Sequence, residues 1–274
     1  MLSKINILYQ RKTDVKPMTV SYKLPPKVNR LAKTFKREDS DSANLSKNIN
    51  SYLEVDRLFV CAKHGEKAIS MLRQLGLYCP NTVVSSQSQG TRSQIFFFQN
   101  IYLAVIWLGD ESPQLDTGIN FAARVNWRDS HASPFGIGLS RKKNLSRLYN
   151  KQYPVNDLVI NNYVAYSQQN QKSSLEPLVF FLPDSLKYGK ILNKKLAQNQ
   201  QYINHPLEVN RVTNIKISAR SGKRRDSDII NWTKSNKLLE IERASEPLME
   251  LTFDDGIKGK IFDARPILPV VFRY

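Results

Sequence analysis

The stretch SQGTRSQIFFFQNIYLAVIWLGD, residues 88–110, limits the fold more than any other part of this chain. It holds two apolar runs, Ile95–Phe98 and Ile101–Leu108, with Gln99-Asn100 between them. Runs of this length, rich in β-branched and aromatic residues and joined by two residues, predict an antiparallel hairpin. Neither run alternates cleanly with polar residues, so both faces of the hairpin need cover. That places it near the middle of a sheet. It also raises the question of whether Ala104 marks a site or is core alone.

Other elements fall into order around the hairpin. Leu58–Ala62 is a continuous apolar run and predicts a buried strand. Ala68, Met71, Leu72 and Leu75 recur at helical spacing in KHGEKAISMLRQLGL, and Gly76 is placed to stop that helix. Thr82–Ser85 is β-prone and precedes the hairpin. The predicted order is β-α-β-β-β over residues 54–110. The end of the chain, about residues 205–274, gives the same order. There VNRVTNIKISA, LLEIERA, LMELTFDDG and RPILPVVFRY read as strands, with a helix in DSDIINWTKSNKLL capped by Asp226 or Ser227. Asp255-Gly256 is a turn signal. The expected fold class is α+β, with two βαβββ modules.

The region between the modules is less regular. PQLDTGINFAARVNWRDS has helical character, SPFGIGLS and PLVFFLP read as strands, and a short strand is expected near Leu158–Ile160. DSLKYGKILNKKLAQNQQYIN reads as loop or broken helix. Residues 1–53 are polar and charged, with a Pro25-Pro26 pair and no sustained period. They read as a disordered basic tail carrying a short helix near Val28–Arg37. Met18 is an alternative start. Residues 54–274 form the expected folded domain.

The formal charge of +17 makes polyanions natural partners. Residues 1–54 hold 11 Lys and Arg against five Asp and Glu, and the rest of the excess is spread along the chain. No zinc finger, basic zipper or RNP-type aromatic motif is present, so a dedicated nucleic-acid reader is disfavoured. The densest cationic run, Ser221–Asp228 (SGKRRDSD), lacks P-loop glycines and reads as a solvated loop. Nucleic-acid docking through the basic tail and this run stands as the alternative. The two cysteines, Cys61 and Cys79, have no metal-site or redox-motif spacing and suit a reducing, cytoplasmic setting. No apolar segment approaches the length that spans a bilayer, so no membrane partner is expected. The three histidines, His64, His131 and His205, show no metal-ligand spacing.

Several strings resemble, in order, segments of glyoxalase-like domain proteins of the vicinal oxygen chelate superfamily. They are VDRLFVCA, SQGTRSQIFFFQNIYLAVIWL, SPFGIGL, HPLEVNRVTNIKI, LMELTFDDG and FDARPILPVVFRY. The resemblance covers residues 54–274. It implies paired βαβββ modules forming curled half-barrel sheets around a cleft. It also implies one divalent ion, held by a His on the opening strand and a Glu on the last strand of the first module, acting as a Lewis acid.

This chain departs from that pattern at both places. Arg57 stands in the His slot and Ala104 in the Glu slot. A guanidinium has no lone pair to offer a cation, and alanine has no ligand atom. No metal site and no cofactor are therefore expected, unless displaced ligands at Glu250, His205 or His131 hold a divalent ion for a lyase, isomerase or dioxygenase reaction. The expected function is binding of a small, anionic organic molecule in the cleft. Arg57 can grip a carboxylate or phosphate, or it can pair with Asp56 or Glu250. Thr91 and Arg92 follow Gly90 between strands, where relatives often carry Ala-Asn, and count with Ala104, His131 and His205 as candidate ligand-binding residues. Glu250, in MELTF, is the candidate catalytic carboxylate. Its alternation with Met249 and Leu251 leaves cleft and solvent equally open. Pairing of the halves within one chain or between two copies of a homodimer is also open.

Overall fold

The computed structural model describes residues 5–8, 18–20, 52–110, 118–142, 153–161, 164–220 and 225–274. The chain is a mixed α+β protein built on two sheets. Ten strands make the larger one: β1 (Ile5–Leu8), β2 (Met18–Val20), β3 (Leu53–Cys61), β4 (Val83–Ser86), β5 (Thr91–Phe97), β6 (Tyr102–Leu108), β7 (Phe135–Arg141), β8 (Leu158–Asn161), β9 (Val164–Ser167) and β10 (Leu178–Phe181). Their order across the sheet is β2-β1-β4-β5-β6-β3-β7-β10-β9-β8. The smaller sheet holds β11 (Val212–Arg220), β12 (Glu240–Ala244), β13 (Leu248–Phe253), β14 (Ile261–Asp263) and β15 (Val270–Arg273), ordered β12-β11-β13-β15-β14. The helices are α1 (Gly65–Gln74), α2 (Phe121–Val125), α3 (Trp127–Ser130), α4 (Gln168–Lys172), α5 (Tyr188–Gln198) and α6 (Asp228–Ser235). No helix among the described residues is long and apolar enough to cross a membrane.

The hairpin β5-β6 forms antiparallel and central, as its two-sided apolarity requires. On one face of the larger sheet Leu58, Val60, Phe96, Leu103, Val105, Ile137 and Val179 pack against α1, α6 and the inner face of the smaller sheet. On the other, Phe59, Cys61, Phe97, Tyr102, Ala104 and Phe180 pack under α2 and α5. Alternate residues of one strand thus serve two separate cores. The two glycines of β7 belong to the second face. A Cβ on Gly136 would lie 1.9 Å from the Phe59 ring, and one on Gly138 would lie 2.5 Å from the Arg57 side chain.

The connector Gln99-Asn100 joins the two sheets as well as the two strands. The Asn100 side chain donates to the Val212 carbonyl at 2.8 Å and accepts from the Val212 N–H at 3.0 Å, as a backbone neighbour in a ladder would. The Gln99 N–H donates to the Asn210 carbonyl at 2.8 Å. Beside them the Phe98 ring lies 4.8 Å from both Phe253 and His205, sealing the seam between the sheets.

Two expectations need revision. First, the two expected modules differ in both element order and strand order: β3-α1-β4-β5-β6 is β-α-β-β-β, whereas β11-α6-β12-β13-β14-β15 carries a fourth strand after its helix. In the first, β3 lies parallel to β6, the last strand. In the second, β11 lies between β12, parallel, and β13, antiparallel. The sequence accounts for this. The hairpin is apolar on both faces and displaces the half-exposed β4 outward, whereas β12 (EIERA) is largely exposed and stays at the edge. Second, the region between the modules supplies β7 to β10 to the larger sheet, and α5 is a regular helix of 11 residues. Its apolar residues are few, but Tyr188 and Leu192 suffice to dock it. Within the span expected to be a tail, the described residues 5–8 and 18–20 form β1 and β2, paired antiparallel with each other, and β1 also pairs with β4. The remainder of the expected tail up to residue 51, including Val28–Arg37, lies outside the described residues.

Candidate functional site

Arg57 and Ala104 share the face of the larger sheet that α5 covers. A β-bulge between Val55 and Arg57 breaks the usual alternation and lets two consecutive side chains meet. The Asp56 carboxylate accepts from Arg57 Nε at 2.8 Å and from the Tyr188 N–H at 2.8 Å. The guanidinium also donates to the Leu186 carbonyl and lies 4.7 Å from the centre of the Tyr102 ring. The ion pair weighed against a ligand role for Arg57 is therefore the contact that forms. Around it Phe97 meets Tyr202 edge-on at 5.5 Å, and Tyr102 meets Tyr188 at 5.7 Å. Tyr188 Oη donates to the Phe98 carbonyl. Burial pushes the Tyr102 and Tyr188 hydroxyls above their ordinary range, so both stay protonated at neutral pH. Ala104, 8 % exposed, is one more member of this aromatic core.

The remaining candidates are dispersed. Thr91 opens β5, buried opposite Leu108, while its neighbour Arg92 points outward and pairs with Asp110 at 2.6 Å. His205 uses both ring nitrogens: Nδ1 accepts from the Tyr78 N–H at 2.9 Å and Nε2 donates to the Phe97 carbonyl at 2.9 Å. Burial lowers its pKa, so it is held neutral, tying the segment before β11 to the end of β5 and to the loop after α1. Glu250 lies on the outer face of the smaller sheet, away from Met249 and Leu251, where Arg273 donates to its carboxylate at 2.6 and 3.0 Å. His131 follows α3, and its Nδ1 accepts from Arg220 at 2.5 Å. Among the described residues no group of three or more His, Cys, Asp or Glu could hold a metal ion. Of the run Ser221–Asp228, residues 221–224 lie outside the described residues.

Arg220 leads to a different place. It ends β11 and bridges the two parts of the molecule. It donates to His131 and to the Trp127 carbonyl (3.3 Å) on one side, and to the Ser245 carbonyl (3.0 Å) and Glu246 (2.8 and 2.9 Å) on the other. Beside it open two adjoining shallow recesses at the carboxyl ends of the parallel strands β11 and β12. The first, of about 380 Å³, is lined by Arg220, Arg243, Ala244 and Ser245. The second, of about 350 Å³, shares Ala244 and Ser245 and adds Trp127, Arg128, Pro247, Leu248, Arg265 and Pro266, with Ser218 and Glu246. Four arginines and one carboxylate line the pair. Arg243 pairs with Asp226 at 3.0 Å and Arg265 with Asp263 at 2.5 Å, while Arg128 lies 4.4 Å from the Trp127 ring and donates to the Pro266 carbonyl. Sequence reasoning missed this grouping because its members are single arginines on four separate segments. The one signal was the basic run that begins just after Arg220.

No family model and no curated protein matches the chain. A solved structure described as a hypothetical protein from Staphylococcus aureus aligns with 81 % of this chain and 99 % of its own. The identity is 13 % and the TM-score 0.47, a likeness too distant to carry an argument about fold or function.

Proposed function

We propose that this protein binds a small organic anion, as a divergent glyoxalase-like protein whose metal chemistry has been lost from the usual positions. Support for that lineage is the ordered series of resembling strings over residues 54–274 and the β-α-β-β-β element order of β3 to β6. The observation that carries the binding reading is the pair of recesses at the carboxyl ends of β11 and β12, lined by four arginines and a single carboxylate. Ligands of sheets with parallel strands gather at such strand ends. Guanidinium groups grip carboxylate and phosphate oxygens in a fixed fork. The binding position is accordingly moved from Arg57 and Ala104, whose surroundings are packed, to Arg220 and Arg243.

Calorimetric titration of the full chain with small carboxylates and phosphates tests this. Saturable binding is expected, weakened at least about tenfold by Arg243→Gln, a loss of about 1.4 kcal/mol. No saturable binding to any of them, or binding unchanged in Arg243→Gln but lost in Arg57→Gln, would return the site to the opposite face of the larger sheet or remove it.

A further inference from the structure

The two recesses differ in chemistry, and the difference names a ligand class. In the first, Arg220 and Arg243 are half of the lining residues. In the second, Trp127, Pro247, Leu248 and Pro266 make the exposed lining mainly apolar, beside Ser218, Glu246 and the exposed Arg128 and Arg265. Ala244 and Ser245 form their common wall, so one molecule can reach both. We infer that the ligand is an amphipathic anion, a carboxylate or phosphate head joined to an acyl or aryl body. This rests on the reading that the recesses are the binding site. The head lies against Arg220 and Arg243, and the body lies over Trp127, Pro247 and Leu248.

Glu246, which lines the second recess, holds the Arg220 guanidinium of the first in the free protein. Both its carboxylate oxygens contact Arg220 Nη2, at 2.8 and 2.9 Å, yet its side chain is 69 % exposed. A bridge so open to solvent is weak. An incoming carboxylate can replace Glu246 on Arg220, while the other Arg220 bonds, to the Trp127 and Ser245 carbonyls and to His131 Nδ1, keep the guanidinium in place. The ligand then gains over a bare anion by removing its apolar body from water, which inorganic phosphate cannot do.

Octanoate is the test probe, with inorganic phosphate as a bare anion and octanol as the same chain with an uncharged head, measured by calorimetry on the full chain. Octanoate is expected to bind at least about tenfold more tightly than phosphate or octanol. Glu246→Gln, which removes the resident carboxylate, should tighten octanoate several-fold. Ala244→Leu, which fills the shared wall, should weaken octanoate strongly at unchanged melting temperature. Both variants are at partly or largely exposed positions and keep the test independent of whether Arg220→Gln folds. Phosphate binding as tightly as octanoate would overturn the amphipathic ligand and leave the anion site standing. Octanol binding as tightly as octanoate would overturn the head-group contact. Octanoate binding that is indifferent to Ala244→Leu would place it elsewhere and overturn the inference. Failure of all three probes would remove the anion-site reading beneath it.

Discussion

His205 shows how the surroundings of one residue decide its chemistry. In sequence it is a lone histidine before a strand. In the fold both nitrogens are engaged and the ring lies tilted against Phe98, so the neutral form is held. Its pKa is lowered by burial below the unfolded value near 6.5. The unfolded chain therefore takes up a proton first as pH falls. The stability that neutral His205 contributes is complete above about pH 6.5 and declines as acid is added. Urea midpoints measured between neutral and mildly acidic pH should fall, and should fall less steeply in His205→Gln, whose amide can make the same two bonds. Equal slopes in the two proteins would refute this account. Arg57 carries the same lesson with a permanent charge. A strand arginine needs a partner, and the bulge at Val55 places Asp56 beside it before any ligand can act.

Among the elements, the central hairpin was legible because its apolar pattern is long and two-sided. Its connector was not. Gln99-Asn100 reads as a turn, yet Asn100 continues the hydrogen bonding into β11. Asn100→Ala removes a donor and an acceptor from the Val212 backbone and should cost about 1–3 kcal/mol. Denaturant unfolding checks this, and a loss under 0.5 kcal/mol, as expected of an exposed turn residue, would show that water replaces both bonds. The start of α6 is a similar case. Ser227 was expected as a cap, and it does sit at that position, but its hydroxyl makes no bond to the helix. Instead the Glu176 carboxylate takes the Ser227 N–H at 2.7 Å and hydroxyl at 2.6 Å, and accepts from Asn170 at 2.8 Å. A cap supplied from 51 residues away leaves no mark in a local window.

At the scale of the molecule, two cores share one sheet. Cys61, on β3 near the middle of the ten strands, is fully buried, and burial pushes its thiol up to about 12. It has no route to a reagent except through opening of the α2 and α5 layer. In Cys79→Ser protein, labelling of Cys61 by an aromatic disulfide should therefore track the opening of that layer. The rate should rise steeply with urea and approach that of a free thiol once the chain unfolds. Fast labelling in the absence of denaturant would mean that the layer is detached from the sheet. The same arrangement explains why the expected cleft is a core. α5 and the turn at Gln200–Ile203 supply Tyr188 and Tyr202 to the face that carries Arg57 and Ala104.

The sequence by itself determined the α+β class, the central hairpin, most of the strands, the helices α1 and α6, and the absence of ligand atoms at Arg57 and Ala104. Those follow from periodicity and side-chain chemistry, which act over a few residues. Only the tertiary structure decided that the middle of the chain completes the larger sheet, that the first and last groups of strands differ in number and pairing, and that Arg128, Arg220, Arg243 and Arg265 meet at the ends of β11 and β12. Strand neighbours are chosen by which faces must be hidden from water. That choice is made between segments far apart in the chain, where no local pattern records it.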